Sequence, residues 1–136
     1  MTSAFDSNIV IYAMTDSEPD KTYRAQTIIQ EGGIISVQVL NEVAHIALRK
    51  LSKSWPEINS ALAIIRELCD VVPVTAQTHD EGRYLAERYR LSVFDAMIVA
   101  AATLAGCDTL YSEDMQDGLL VNAKLRIGNP FRKKES

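Results

Sequence analysis

Zinc-finger spacing, a glycine-rich phosphate loop, a nucleophile triad and a membrane span are all missing from this sequence. It has two cysteines and two histidines in 136 residues. Cys69 and Cys107 stand far apart in apolar surroundings, which suits buried free thiols and fits neither a zinc site nor, in the cytosol, a disulfide. His45 and His79 have no serine or cysteine partner in a nucleophile setting, so triad chemistry has no support. No stretch offers the glycine spacing of a phosphate cradle. None approaches the roughly 18 uninterrupted apolar residues of a spanning helix. The amino-terminal MTSAFDSNIVIYA has no basic segment ahead of its apolar run, and an aspartate interrupts that run. Neither a signal peptide nor a membrane anchor is expected, and the expected location is cytoplasmic.

An excess of positive charge is missing too. Eighteen acidic residues against 14 basic ones leave a net charge of -4, which excludes a protein that grips nucleic acid by bulk electrostatics. The sum says nothing about distribution, and a cluster of carboxylates filled by divalent cations would reverse the sign locally. Apolar residues are not scarce: 47% of the chain is hydrophobic and 24% charged, as in ordinary globular proteins. A chain of this length buries roughly two-thirds of its unfolded surface. One domain over residues 1–131 is expected, followed by a basic, flexible tail at 132–136 that contains Arg132, Lys133 and Lys134.

Strand and helix patterns alternate along the chain. SAFD reads as a short buried strand ending near Asp6, followed by an apolar helix. Asp20 to Glu31 reads as an amphipathic helix closed by Gly32 and Gly33. IISV (Ile34 to Val37) is a second strand, leading into a helix with Val37, Leu40, Ala44, Ala47, Leu48 and Leu51 on one stripe. Trp55 to Leu68 is another helix, with Pro56 near its first turn. Cys69 to Val74 is a third strand, which Pro73 assigns to a sheet edge or a strand end. Gln77 to Arg90 is an exposed, charged helix carrying Leu85 and Tyr89 inward. LSVFDAMIVAAATLAG (Leu91 to Gly106) is an apolar helix, CDTLYS a fourth strand, and LRIGNPF a weak fifth. This alternation predicts parallel βαβ units in a three-layer α/β/α sandwich with about five strands.

In a doubly wound sheet ligands sit at the carboxyl ends of the strands, and four acids are expected there. Asp6 ends the first strand. Glu42 lies in the opening turns of the helix after the second. Asp95 is the one charged residue from Phe94 to the end of its apolar helix, where an unpaired carboxylate is costly. That helix runs back across the sheet for about 12 residues, roughly 18 Å. The fourth strand then returns, bringing Ser112 to Asp114 beside the helix start. Converging carboxylates repel one another unless protons or cations compensate. Ligation by oxygen alone suits a hard ion such as Mg²⁺ or Mn²⁺, and such a site most often supports phosphoryl transfer.

Each acid also has a structural explanation. Ser92-Val93-Phe94-Asp95 fits a capping box. Asp6 suits an N-cap. Glu42, with Gln38, His45 and Arg49, suits a solvated stripe, and Asp114 and Asp117 suit turns. Four such coincidences on one edge weigh less than a common site.

With these acids in place, the sequence resembles the PIN-domain ribonucleases, in particular the VapC-type toxins of bacterial toxin–antitoxin pairs. The matching pieces are FDSNIVIYA, SVQVLNEV and YRLSVFDAMIVAAATLAGCDTLYSEDMQDG, and the likeness spans essentially the whole chain. It implies a sheet in the order 3-2-1-4-5 and an acidic pocket with one or two Mg²⁺ or Mn²⁺ ions. The implied catalytic, metal-binding acids are Asp6, Glu42, Asp95 and Asp114. Asn8 and Ser112 match polar positions near the pocket, and Asp117 is a possible outer-shell acid. Ser112-Glu113-Asp114 stands where many relatives have threonine-x-aspartate, leaving Asp114 and Asp117 as alternatives for the closer ligand. The implied reaction is metal-assisted hydrolysis of RNA, and the implied partners are an antitoxin protein and a second copy of the chain. Two other readings share the architecture: a catalytically silent PIN-like scaffold that binds RNA or a partner, and a receiver-type phosphoacceptor. The latter normally has an acid at the end of the third strand, where this chain has VVPVTAQ.

Overall fold

The computed structural model describes residues 2–132. The first crossover runs from β1 (Ser3–Phe5) through α1 (Ser7–Met14) and α2 (Pro19–Gln30) to β2 (Ile34–Ser36). The next runs through α3 (Val37–Arg49) and α4 (Trp55–Leu68) to β3 (Asp70–Val72), and the last through α5 (Ala76–Tyr89) and α6 (Val93–Leu104) to β4 (Thr109–Tyr111). β5 (Leu120–Val121) and β6 (Leu125–Gly128) follow. The sheet order is β3-β2-β1-β4-β6-β5. Every pairing is parallel except that of β5 with β6.

The expected order is therefore found, with β6 as the expected fifth strand and β5 as an additional antiparallel edge. Two residues carry no readable period, so β5 has no signature in the sequence. The third strand is shorter than Cys69 to Val74: the Cys69 N–H closes α4 on the Ile65 carbonyl, and Pro73 has no N–H to extend the ladder. β3 lies at the sheet edge, as Pro73 predicts.

The core is the sheet together with the inward helix faces. Phe5, Ile9, Ile29, Ile35, Leu110, Leu125 and Ile127 are almost fully buried. Gly33 lets β2 approach β1, because a Cβ there would stand 2.6 Å from the Ser3 carbonyl oxygen and 2.7 Å from the Phe5 ring. α6 is buried continuously from Ala96 to Ala102, in keeping with its apolarity, and it packs against α5, α3 and β2.

The stripe of α3 differs from the expected one. Val39, Val43 and Ala47 are buried, whereas Val37, Leu40, Ala44, Leu48 and Leu51 are half-buried flanks. α3 touches α1, α4 and α6 as well as β2, and neighbours on several sides widen its apolar face and recentre it. Among the described residues no helix is long and apolar enough to cross a membrane.

Candidate functional site

Asp6 follows β1 directly and caps α1: its Oδ1 accepts the Ser7 N–H at 2.7 Å. Its Oδ2 accepts the Ser112 hydroxyl at 2.7 Å and the Asn8 amide at 3.2 Å. Capping and site-building thus fall on the same side chain. Asp6 is 3% exposed, and burial pushes its carboxyl up to about 6. The hydrogen bonds from Ser112 and Ser7 oppose that shift, and the charges of Asp95 and Glu42 add to it.

Glu42 reaches the same edge from the second turn of α3. Its Oε1 accepts the Ser7 hydroxyl at 3.0 Å and its Oε2 the Gln38 amide at 2.9 Å. From the sequence, Gln38 falls with Glu42 on a solvated stripe, and neither it nor Ser7 has an expected part in the site. The i, i+4 spacing of Gln38 and Glu42 is a signal that would have found the Gln38 contribution.

Asp95 stands in the first turn of α6. Ser92 caps the helix by accepting the Asp95 N–H at 3.1 Å. The reciprocal bond of a capping box, from the Ser92 N–H to the Asp95 carboxylate, is not among the hydrogen bonds of the described residues. The carboxylate is left facing the other acids. Burial raises its pKa, the Ser92 hydroxyl opposes this, and Glu42 and Asp114 push it up further.

Asp114 is exposed, on the turn after β4. Its Oδ2 shares the Asn8 amide at 3.2 Å with Asp6, while the Asn8 Oδ1 accepts the Glu113 N–H at 3.1 Å. Glu113 anchors this turn from outside. It accepts the Tyr12 hydroxyl at 2.6 Å and the Lys21 ammonium at 2.7 Å, and those bonds hold its carboxyl below the usual range against the effect of burial. Lys21 in turn lies over the Tyr12 and Phe131 rings. Lys21 and Glu113 are 92 residues apart, and no local pattern marks the pair.

The structure does not bring Asp117 into this group. Its carboxylate accepts the Asn129 N–H at 2.9 Å and pairs with Arg132 at 2.8 Å, so its observed role is to pin the carboxy-terminal segment. Arg132, the first residue of the expected tail, is thereby paired, and 133–136 lie outside the described residues.

Asp6, Glu42, Asp95 and Asp114 thus share one edge of the sheet. Glu42, Ser7, Asp6, Asn8 and Asp114 form a continuous hydrogen-bonded chain, and Asp95 is coupled to its acids through the field. None of the four belongs to an ion pair among the described residues. They form an open row: no three His, Cys, Asp or Glu side chains of the described residues are clustered tightly enough to hold an ion as they stand. Beside the row lies a cleft of ≈ 530 Å³ with Gln38, Asn41, Glu42 and His45 on the α3 side and Phe94 and Asp95 on the α6 side.

A family model described as PIN domain matches residues 4–116. No curated protein matches the chain in sequence. Among solved structures, a toxin-antitoxin complex from Klebsiella pneumoniae is similar over 97% of this chain and 100% of that one, with 17% identity and a TM-score of 0.74. VapBC2 from Rickettsia felis, bound to a DNA fragment from its promoter, is similar over 95% and 98%, with 18% identity and a TM-score of 0.69. Mycobacterium tuberculosis VapC20, described as a Sarcin-Ricin loop cleaving toxin, is similar over 83% and 90%, also with 18% identity and a TM-score of 0.69.

Proposed function

The chain belongs to the PIN-domain family, and from that premise we propose that it is a Mg²⁺- or Mn²⁺-dependent endoribonuclease, the toxin of a bacterial toxin–antitoxin pair. The observation that carries this reading is the row of four carboxylates from four distant segments, none of them paired to a basic side chain among the described residues. Their repulsion, and the upward shifts of Asp6 and Asp95, call for a positive charge that the described residues do not supply. The donor set is oxygen alone, which fits a hard divalent ion and not zinc. Asp6, Glu42, Asp95 and Asp114 would hold it, with Asn8 and Ser112 orienting the acids.

When bound, such an ion supplies Lewis-acid polarisation of the scissile phosphodiester and lowers the pKa of nearby water. The chain's own part is positional. Ser112, Asn8 and the Ser7 N–H fix the Asp6 carboxylate on both oxygens, and Ser7 and Gln38 do the same for Glu42. One of the four carboxylates also accepts the proton of the attacking water. That water forms the new bond to phosphorus as the bond to the in-line 3′ oxygen breaks, and the departing oxygen takes its proton from solvent water.

An antitoxin partner is proposed with this reading, supported by a neighbour that is a toxin-antitoxin complex, and a homodimeric state is proposed with it on the resemblance alone. A cytoplasmic site of action belongs to the same proposal. The receiver reading fails on topology: receivers place β1 between β2 and β3, whereas here β2 lies between β1 and β3. The silent scaffold is separated by assay. Purified protein is expected to cut RNA in Mn²⁺ and to stop when a chelator is added, and new RNA 5′ ends are expected in cells after induction. Absence of cutting in both settings would leave the scaffold as the better reading.

A smaller effect tests the anchoring of the Asp114 turn. Lys21→Met removes the cation that holds Glu113 and is expected to weaken Mn²⁺ binding about tenfold, as for partners that orient metal ligands. Lys21→Arg should restore most of it in calorimetric titration. An unchanged affinity in Lys21→Met would show that the anchor does not govern Asp114.

A further inference from the structure

The carboxylate row continues into a cleft whose remaining walls the proposed chemistry leaves unused. On the α6 side stands Phe94, 67% exposed in the first turn of a helix that is otherwise largely buried. On the α3 side Asn41 and His45, one turn apart, are exposed, and neither side chain is hydrogen-bonded among the described residues. The neighbouring Gln38 amide, by contrast, is engaged by Glu42. Ile46 adds apolar surface to this lining, and Glu42 and Asp95 belong both to it and to the acidic row.

We propose that this cleft binds one unpaired nucleobase of the RNA, stacked on Phe94 with its edge toward Asn41 and His45, beside the phosphodiester to be cut. The proposal rests on the ribonuclease reading. A base is neutral, presents a π face and carries donors and acceptors at its rim, so it matches a wall with one exposed ring facing an amide and an imidazole. Protein interface cores are depleted of charge, whereas two carboxylates lie in this lining, so a nucleobase suits the cleft better than an apolar peptide. Bases within a duplex hide their faces in the stack, and Phe94 therefore selects single-stranded or looped RNA. The ring next to Asp95 in the chain would hold the sugar–phosphate backbone against the acids, making Phe94 a specificity-determining residue.

The test titrates wild type, Phe94→Ala and Phe94→Tyr with a single-stranded RNA of mixed sequence carrying 2-aminopurine, in Ca²⁺ buffer. Stacking quenches this fluorophore. Wild type and Phe94→Tyr are expected to quench it, while Phe94→Ala should lose the quench and bind about tenfold more weakly. The same RNA as a duplex should not be quenched. Equal quenching by wild type and Phe94→Ala, or by duplex and single strand, overturns the proposal. So does sedimentation showing that Phe94→Ala turns a dimer into a monomer, which would assign the ring to a second copy. If wild type cuts RNA in Mn²⁺ and yet quenches no more than Phe94→Ala, this inference alone falls. If wild type neither binds nor cuts RNA, the ribonuclease reading falls with it.

Discussion

Asp95→Asn is expected to slow RNA cleavage by about 100-fold or more, the scale of losing one preorganised electrostatic group in an active site, while the protein melts at or slightly above the wild-type temperature. The substitution preserves shape. The helix cap uses the Asp95 backbone N–H on Ser92, not the carboxylate, so the start of α6 stays formed. The lost charge is one that burial, Glu42 and Asp114 already disfavour, so its removal does not cost stability. Cleavage kinetics beside a thermal melt check both halves. Cutting at the wild-type rate would remove Asp95 from the site.

Asp6→Asn is expected to abolish cleavage to a similar extent and, in metal-free buffer at pH 7, to stabilise the fold. Asp6 ionises at about 6 in the folded protein against 3.8 ordinarily, so its charge costs the native state up to about 3 kcal/mol at neutral pH. Asparagine keeps an acceptor for the Ser7 N–H but sets its amide against the Ser112 hydroxyl and the Asn8 amide, which reduces the expected gain to about 1 kcal/mol or less. The pH dependence follows from the sign of the shift. Because the folded state holds the Asp6 proton more tightly, the stability contributed by that proton is fully present below pH 3.8 and is lost as pH rises through about 6. Metal-free wild type should therefore lose stability between about pH 4 and 6.5, and Asp6→Asn should show a flatter profile there. Mn²⁺ should restore wild type at pH 7 and have little effect on the variant. A profile of equal slope in both proteins would show that the Asp6 charge is compensated in some other way.

Local patterns were legible wherever neighbours in sequence are also neighbours in space. Pro56 marks the first turn of α4 within the chain itself, and the structure adds a capping box of Ser54 with Glu57 there. The apolarity of α6 foretells its burial and makes Asp95 conspicuous. α3 shows where such reading stops: its period announces a helix, but the centre of its buried face, on Val39, Val43 and Ala47, is chosen by the elements packed around it. Asp114 and Asp117 are alike as members of one acidic turn. What separates them is that Asn8, 106 residues away, bridges the first to Asp6, while Arg132 and Asn129 take up the second.

The sequence by itself determined the alternation of strands and helices, and with it a parallel sheet whose carboxyl edge must receive Asp6, Glu42, Asp95 and the turn after the fourth strand. Hydrophobic period and chain reach are short-range properties, and that edge depends on nothing more. Only the tertiary structure decided which donors meet each carboxylate, that Lys21 and Glu113 clamp the turn bearing Asp114, and that Phe94 stands exposed beside the acids. Hydrogen bonds and burial at those positions join residues as far as 106 apart, and their energies come into being only when the packed chain has excluded water between them.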